Sequence, residues 1–299
     1  MTISFGSGPV TVRTPATSAN LGPGFDALGL ALTLYDEVTA RVVEADTVVE
    51  VAGEGAGELP DDEKHLVVRA MRETFGQLGA QPAGIALRCV NRIPQARGLG
   101  SSSAAIVAGV TLANALAGDP LDRAELVAIA GRIEGHPDNI APCLLGGFTI
   151  AWMEGDRAHA VSLRAADAVQ PTVFVPAERG LTAHARAALP DTVPHRDASF
   201  NAGRSALLVH ALTSDPSLLL RATEDRLHQD YRGPGMPATA QLVGRLRAAG
   251  VAAAVSGAGP SVLALSPLPS GFDLGNSWVA HSLAIDSAGA TLIRGNILH

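Results

Sequence analysis

The sequence predicts a mixed protein of strands and helices around a sizeable core, and three observations carry that prediction. Of 299 residues, 47% are hydrophobic, enough to bury a real core in one large domain or two modest ones. Apolar residues alternate in some stretches, as in Val10-Thr11-Val12-Arg13-Thr14, and recur at helical spacing in others, as at Leu66, Val67, Ala70, Met71, Phe75 and Leu78. The 32 glycines gather mostly in loops beside proline or serine, where a chain turns tightly or lets a ligand approach its backbone.

Charge and cysteine usage exclude several classes. The formal net charge is -7 and no basic run exceeds two residues, which disfavours nucleic acid as a partner because phosphate-backbone affinity needs a positive face. Cys89 and Cys143 both lie in apolar settings and read as buried small residues rather than a disulfide framework. The segment Met1-Thr2-Ile3-Ser4-Phe5-Gly6 lacks the pattern of a signal peptide, and no stretch reaches 18 uninterrupted apolar residues. A soluble cytoplasmic chain without a membrane partner is expected, and a homodimer stays open as its assembly.

Taken in order, the first strand ends at Pro15, and 15–29 is so rich in Gly and small polar residues that it reads as a loop wrapping something, with Asn20 and Asp26 as its strongest polar groups. Strands follow over 38–43 and 48–51, then a helix over 65–78 and a strand over 85–90. That strand leads into Arg92-Ile93-Pro94-Gln95-Ala96-Arg97-Gly98-Leu99-Gly100-Ser101-Ser102-Ser103-Ala104-Ala105, which reads as a phosphate cradle. Gly98 and Gly100 allow a tight turn, and the N–H groups at the start of a helix near Ser102 suit an anion. The three serines offer one hydroxyl to cap, one to bond a phosphate and one to ligate a metal. A Walker A loop would need a lysine before its Ser/Thr, and a dinucleotide fingerprint a third glycine where Ser103 stands.

Helices are expected over 104–116 and 121–134. The second ends in Glu134-Gly135-His136-Pro137-Asp138-Asn139, the densest group of ionisable side chains in the chain, suited to a metal and a polar substrate. A strand over 146–152 precedes the best candidate for a domain junction, around 155–170, and 172–175 starts a new strand. A helix start at Thr182 puts Thr182 and Arg186 on one face, and Arg232 stands before a Gly-Pro break. Helices over 200–212, 217–223 and 239–249 are followed by a strand-loop-strand unit over 251–265, whose Gly257 and Gly259 make a second close-approach loop. A short helix and a final strand are expected over 276–293.

Pro94 through Ala105 closely resembles the second motif of the GHMP kinases, P-x-x-x-G-L-G-S-S-A/S-A. The stretch containing Ser18-Ala19-Asn20-Leu21-Gly22-Pro23-Gly24-Phe25-Asp26 looks like the first motif, and 251–265 like the third. Within that family, the wording around Asn20, the H-x-D-N-x-A-P segment at His136, and the T-x-x-x-R and D-x-x-H-x-x-x-R patterns ending at Arg186 and Arg232 are similar to homoserine kinases. The resemblance implies an α+β fold of two domains: residues 1–158 like domain 2 of ribosomal protein S5 and binding ATP, and residues 159–299 ferredoxin-like. It implies ATP-dependent phosphorylation of the L-homoserine hydroxyl for threonine biosynthesis, with Mg²⁺; the alternatives are a GHMP kinase for another small alcohol and a non-catalytic ATP or metabolite sensor. ATP would be held by Pro94, Arg97, Gly98, Leu99, Gly100, Ser101, Ser102, Ser103, Ala104, Gly257 and Gly259, and Mg²⁺ by Ser102 and Glu134. Homoserine would be positioned by Asn20, Asp26, His136, Asp138, Asn139, Thr182, Arg186 and Arg232, with Asp138 and Asn139 at the chemistry. The family places the start of the 65–78 helix beside the adenine, where homoserine kinases usually carry Asn and this chain carries His65. Other GHMP kinases, such as mevalonate kinases, use an Asp–Lys pair near the hydroxyl; the only lysine here is Lys64, which is not suited to that role.

Overall fold

The computed structural model describes residues 5, 6, 8–180 and 182–293. Strand β1 (Val10–Asn20) turns at once into the long β2 (Gly24–Val43), and β2 pairs along its far half with β4 (Gly84–Asn91). β3 (Val48–Gly53) joins β4 in parallel. The near half of β2 pairs with β5 (Phe148–Glu154), which carries β6 (Arg157–Leu163). One face of this sheet is covered by α1 (Leu66–Gln77), α2 (Ser101–Leu116), α3 (Arg123–Glu134) and the short α4 (Ile140–Leu145). α2 is the central helix: Ile106, Val107, Val110, Leu112 and Leu116 are fully buried, and apolar residues surround it as expected of a helix wrapped by its neighbours.

A second sheet, in the order β10-β7-β9-β8, is built from β7 (Thr172–Pro176), β8 (Ala253–Val255), β9 (Val262–Ala264) and β10 (Trp278–Ser282). Helix α9 (Pro237–Ala248) buries Leu242 and Leu246 against it, with Phe174, Val251 and Val262 as the rest of a smaller core. The connecting helices are α5 (Thr182–Ala187), α6 (His195–Thr213), α7 (Leu219–Ala222) and α8 (Gln229–Arg232). Finally β11 (Thr291–Ile293) returns to the first sheet and pairs with β1. The expected division at 158/159 falls inside β6, and the chain changes sheets between Leu163 and Thr172. Among the described residues, no helix is long and apolar enough to cross a membrane.

Two expectations are corrected. The stretch 15–29 is not a free loop: β1 runs through Pro15 by means of a register shift between Pro15 and Ala16, and only 21–23 turn. Proline is tolerated at such irregularities because no ladder hydrogen bond is asked of it there, and the small residues pack flat against the sheet rather than leaving it. The tail helix expected after 276 is replaced by β10, whose pairing with β7 decides the conformation. Tertiary pairing overrides a weak local preference in both places.

Candidate functional site

Three chain segments interlock to form one wall. Thr17 N–H donates to the Leu99 carbonyl at 3.0 Å, and Gly257 N–H to the Ala19 carbonyl at 3.0 Å. The Ser256 hydroxyl lies 2.7 Å from the Gly98 carbonyl and 2.8 Å from the Ser18 hydroxyl. The β1–β2 turn, the cradle and the β8–β9 turn are therefore one unit, and a cavity of about 440 Å³ opens beside them.

At one end of that cavity α2 begins. Its N-cap is Gly100 in a left-handed conformation at φ 71°, with no side-chain cap, so the first-turn N–H groups at Ser101, Ser102 and Ser103 have no acceptor within the helix. A Cβ at Gly100 would stand 2.0 Å from the Thr17 hydroxyl oxygen, so glycine is required by space as well as by φ. Thr17 itself donates to Asn139 Oδ1 at 2.8 Å, fixing that amide beside the helix start.

Helix α3 is started by a reciprocal capping box between Asp122 and Glu125 and ends in Glu134, followed by Gly135 in a left-handed C-cap. Glu134 Oε1 accepts from both Ser102 Oγ and Ser103 Oγ, each at 2.9 Å. Two hydroxyls on one carboxylate make a cluster of hard oxygens, the donor type that suits Mg²⁺. Among the described residues, no group of three or more His, Cys, Asp or Glu side chains is placed to hold a metal, so an ion here would need phosphate or water oxygens as well.

The turn after Glu134 carries His136, half-buried, and Asp138, which is only 4% exposed. β2 comes so close to this turn that a Cβ on Gly29 would meet the Asp138 carbonyl at 2.1 Å. Burial, and then the Asp26 carboxylate nearby, push the Asp138 carboxyl up to about 7, with Arg186 opposing.

The β1–β2 turn supplies Asn20 and Asp26. Asn20 spends its amide on backbone, donating from Nδ2 to the Gly257 carbonyl at 2.9 Å and accepting the Asp26 N–H at 3.0 Å. Asp26 is clasped by the Arg186 fork, with Nη1 to Oδ2 at 2.9 Å and Nη2 to Oδ1 at 2.8 Å. Arg186 Nε is buried and has no hydrogen-bond partner among the described residues. Arg232 is almost wholly buried and donates from Nη1 to the Gly257 carbonyl at 3.3 Å and from Nε to the Ala185 carbonyl at 3.1 Å. Both guanidinium groups lie over the Phe25 ring, 5.6 and 5.4 Å from its centre.

Of the residues expected from the sequence, Asn20, Asp26, Arg97, Gly98, Leu99, Gly100, Ser101, Ser102, Ala104, Glu134, His136, Asp138, Asn139, Arg186, Arg232 and Gly257 line this one cavity. Pro94, Ser103 and Gly259 are not among its lining residues, and the side chain of Thr182 lies outside what the structure describes. Arg97 turns away: its guanidinium donates to the carbonyls of Gln95, Pro176 and Ala177 at 2.8, 3.1 and 2.8 Å, clipping the cradle to the end of β7.

The cavity is also lined by His65, which had only a position in the sequence reading, and by Asp36, which had no role there. His65 caps α1 through Nδ1, which accepts from Val67 N–H at 3.3 Å, while its buried Nε2 has no partner among the described residues. Asp36, buried in β2, accepts the N–H groups of Arg92 and Ile93 at 2.6 and 2.9 Å and so sets the start of the cradle; burial pushes its carboxyl up to about 6. No signal in the sequence marks Asp36, which stands beside Glu37 just before the strand expected over 38–43; only its burial in the fold sets it apart.

The family models for the GHMP kinases N terminal domain and the GHMP kinases C terminal match residues 65–147 and 207–276. The chain is 54% identical over 297 residues to the homoserine kinase of Streptomyces avermitilis, covering 97% of each chain, and 50% identical over 295 residues to that of Clavibacter michiganensis, covering 95% of this chain and 93% of the relative. Its structure is similar to the crystal structure of homoserine kinase from Cytophaga hutchinsonii, with a TM-score of 0.84, 30% identity, and 98% and 99% of the two chains covered.

Proposed function

This chain belongs to the homoserine kinases of the GHMP kinase family, and we propose that it transfers the γ-phosphoryl group of ATP to the side-chain hydroxyl of L-homoserine, giving O-phospho-L-homoserine for threonine biosynthesis. The observation that supports this substrate most directly is the Asp26–Arg186 ion pair in the same cavity as the helix start. Each side chain already holds the partner that the other end of an amino acid would offer. A homoserine carboxylate would replace Asp26 in the Arg186 fork, with Arg232 beside it, and the homoserine ammonium would replace Arg186 at Asp26. Asn20 would act through Asp26, whose backbone it holds.

ATP phosphates would lie against the first-turn N–H groups of α2, where unpaired donors and the helix dipole favour an anion. The apolar stretch of the cavity formed by Val38, Leu59, Pro60 and Leu66 would take the base. Mg²⁺, held by Ser102 and Glu134, would supply charge compensation at the transferring group. Asp138 would accept the hydroxyl proton. A carboxyl titrating near neutral pH is a competent base there, and burial is what tunes it. Asn139, anchored through Oδ1 by Thr17, keeps its NH₂ as a donor toward the reacting groups. In this reading residues 1–158 carry ATP, and residues 159–299 contribute the two arginines.

The test is ADP release by purified protein with Mg²⁺. Release that depends on L-homoserine, and not on mevalonate or galactose, is the expected outcome. ATP binding with no turnover on homoserine overturns the reading.

A further inference from the structure

We propose that His228 is a positioning residue for the substrate carboxylate: a neutral imidazole in its Nε2–H tautomer that holds the Arg232 guanidinium in place. The inference rests on the homoserine kinase reading for the identity of the carboxylate. The residue is fully buried, and both ring nitrogens meet partners with only one possible polarity. Nε2 lies 2.8 Å from the Gly22 carbonyl, which can only accept, so Nε2 carries the proton. Nδ1 lies 3.1 Å from Arg232 Nη1, which can only donate, so Nδ1 presents its lone pair. The two contacts together specify both the tautomer and the absence of charge.

The ring is itself delivered by Asp225, whose carboxylate accepts the N–H groups of Leu227, His228 and Gln229 at 3.0, 3.1 and 2.8 Å. Its Oδ2 stands 3.7 Å from His228 Nε2, and the Phe25 ring lies on the imidazole at 5.3 Å between centres. With His228 and the carbonyls of Ala185 and Gly257, Arg232 Nε and Nη1 are engaged, and among the described residues the guanidinium edge bearing Nη2 is left for a ligand in the cavity it lines. Because Gly22 sits in the turn between Asn20 and Asp26, the same imidazole ties the ammonium side of the substrate site to its carboxylate side.

A second proton would turn Nδ1 into a donor aimed at a cation. The charged groups around the ring are Arg232, Asp225 and Asp26; burial and Arg232 hold the imidazole below its ordinary range, while Asp225 pulls the other way. The device is therefore set at neutral pH and is lost in acid.

The test compares His228→Asn, whose side-chain oxygen falls near the position of Nδ1, with His228→Gln and His228→Leu, which offer no acceptor there. Homoserine KM is expected to rise about ten- to a hundred-fold in the Gln and Leu variants, the loss typical of one hydrogen bond to a charged group, while ATP KM stays within about twofold. The Asn variant should recover most of that loss and should also lack the acid rise in homoserine KM expected of the unaltered protein. Equal changes in both KM values, or a uniform loss of thermal stability with no KM change in any variant, overturns the assignment. Should the Leu variant fail to fold, the Asn variant and the pH profile decide alone. Unaltered protein without homoserine turnover would count against the functional reading itself, and active protein with an unmoved homoserine KM in the variants against His228.

Discussion

Arg186 and Asp138 carry the sharpest expectations about single side chains. Arg186→Leu should raise homoserine KM about ten- to a hundred-fold, since a bidentate charged contact is lost, and leave ATP KM nearly unchanged; steady-state kinetics with each substrate varied in turn reads the split. Asp138 titrates near 7, so kcat/KM for homoserine should fall about tenfold for each pH unit below that value. Asp138→Asn should abolish that slope and lower kcat about a hundred-fold or more. The same group also affects stability. Its folded value lies above the ordinary 3.8, so the native state holds a proton that the unfolded chain releases, and stability falls as pH rises from about 4 to about 7. Urea midpoints at pH 5 and pH 8 should therefore differ less in Asp138→Asn than in the unaltered protein. The acid–amide–imidazole cluster was legible in the sequence because its residues are contiguous. His65 and His228 were not legible as partners, since a lone histidine reveals neither the nitrogen it shares nor the carbonyl it faces.

Elements reach the site through their ends. α3 matters because it delivers Glu134, and its first turn is held by the Asp122–Glu125 box, with both bonds at 2.8 Å. Asp122→Ala should cost about 1 kcal/mol, read as a lower urea midpoint, with both KM values intact. α2 is different because its start is the binding surface. Gly100→Ala would put a methyl against Thr17 at a φ that L residues avoid, and should raise ATP KM more than tenfold, measured against an unchanged fold by circular dichroism. Helices with strong periodicity, such as α1 and α9, could be read from sequence to within two residues. The β1–β2 hairpin could not: Gly, Pro, Ser and Asn mark loops wherever local preference decides, and here a long cross-strand ladder decides instead.

Across the whole molecule, the two sheets meet at the cavity, and Arg97 fastens them by giving its guanidinium to carbonyls on both sides. Arg97→Ala should raise both KM values a few-fold together, unlike Arg186→Leu, because it loosens the alignment of the cradle against β7 rather than a contact with one substrate. That architecture was legible only through the resemblance of three separated motifs, since composition and periodicity stop at a mixed protein of strands and helices. The return of β11 to β1 has a consequence for how the chain is made. On the ribosome the free edge of β1 waits for Thr291–Ile293, the last described residues to emerge, while the second sheet between them is synthesised and can close first. The half that emerges first is thus the last to be completed, and for most of its synthesis the nascent enzyme exposes an unpaired strand edge that a chaperone or a second chain can find.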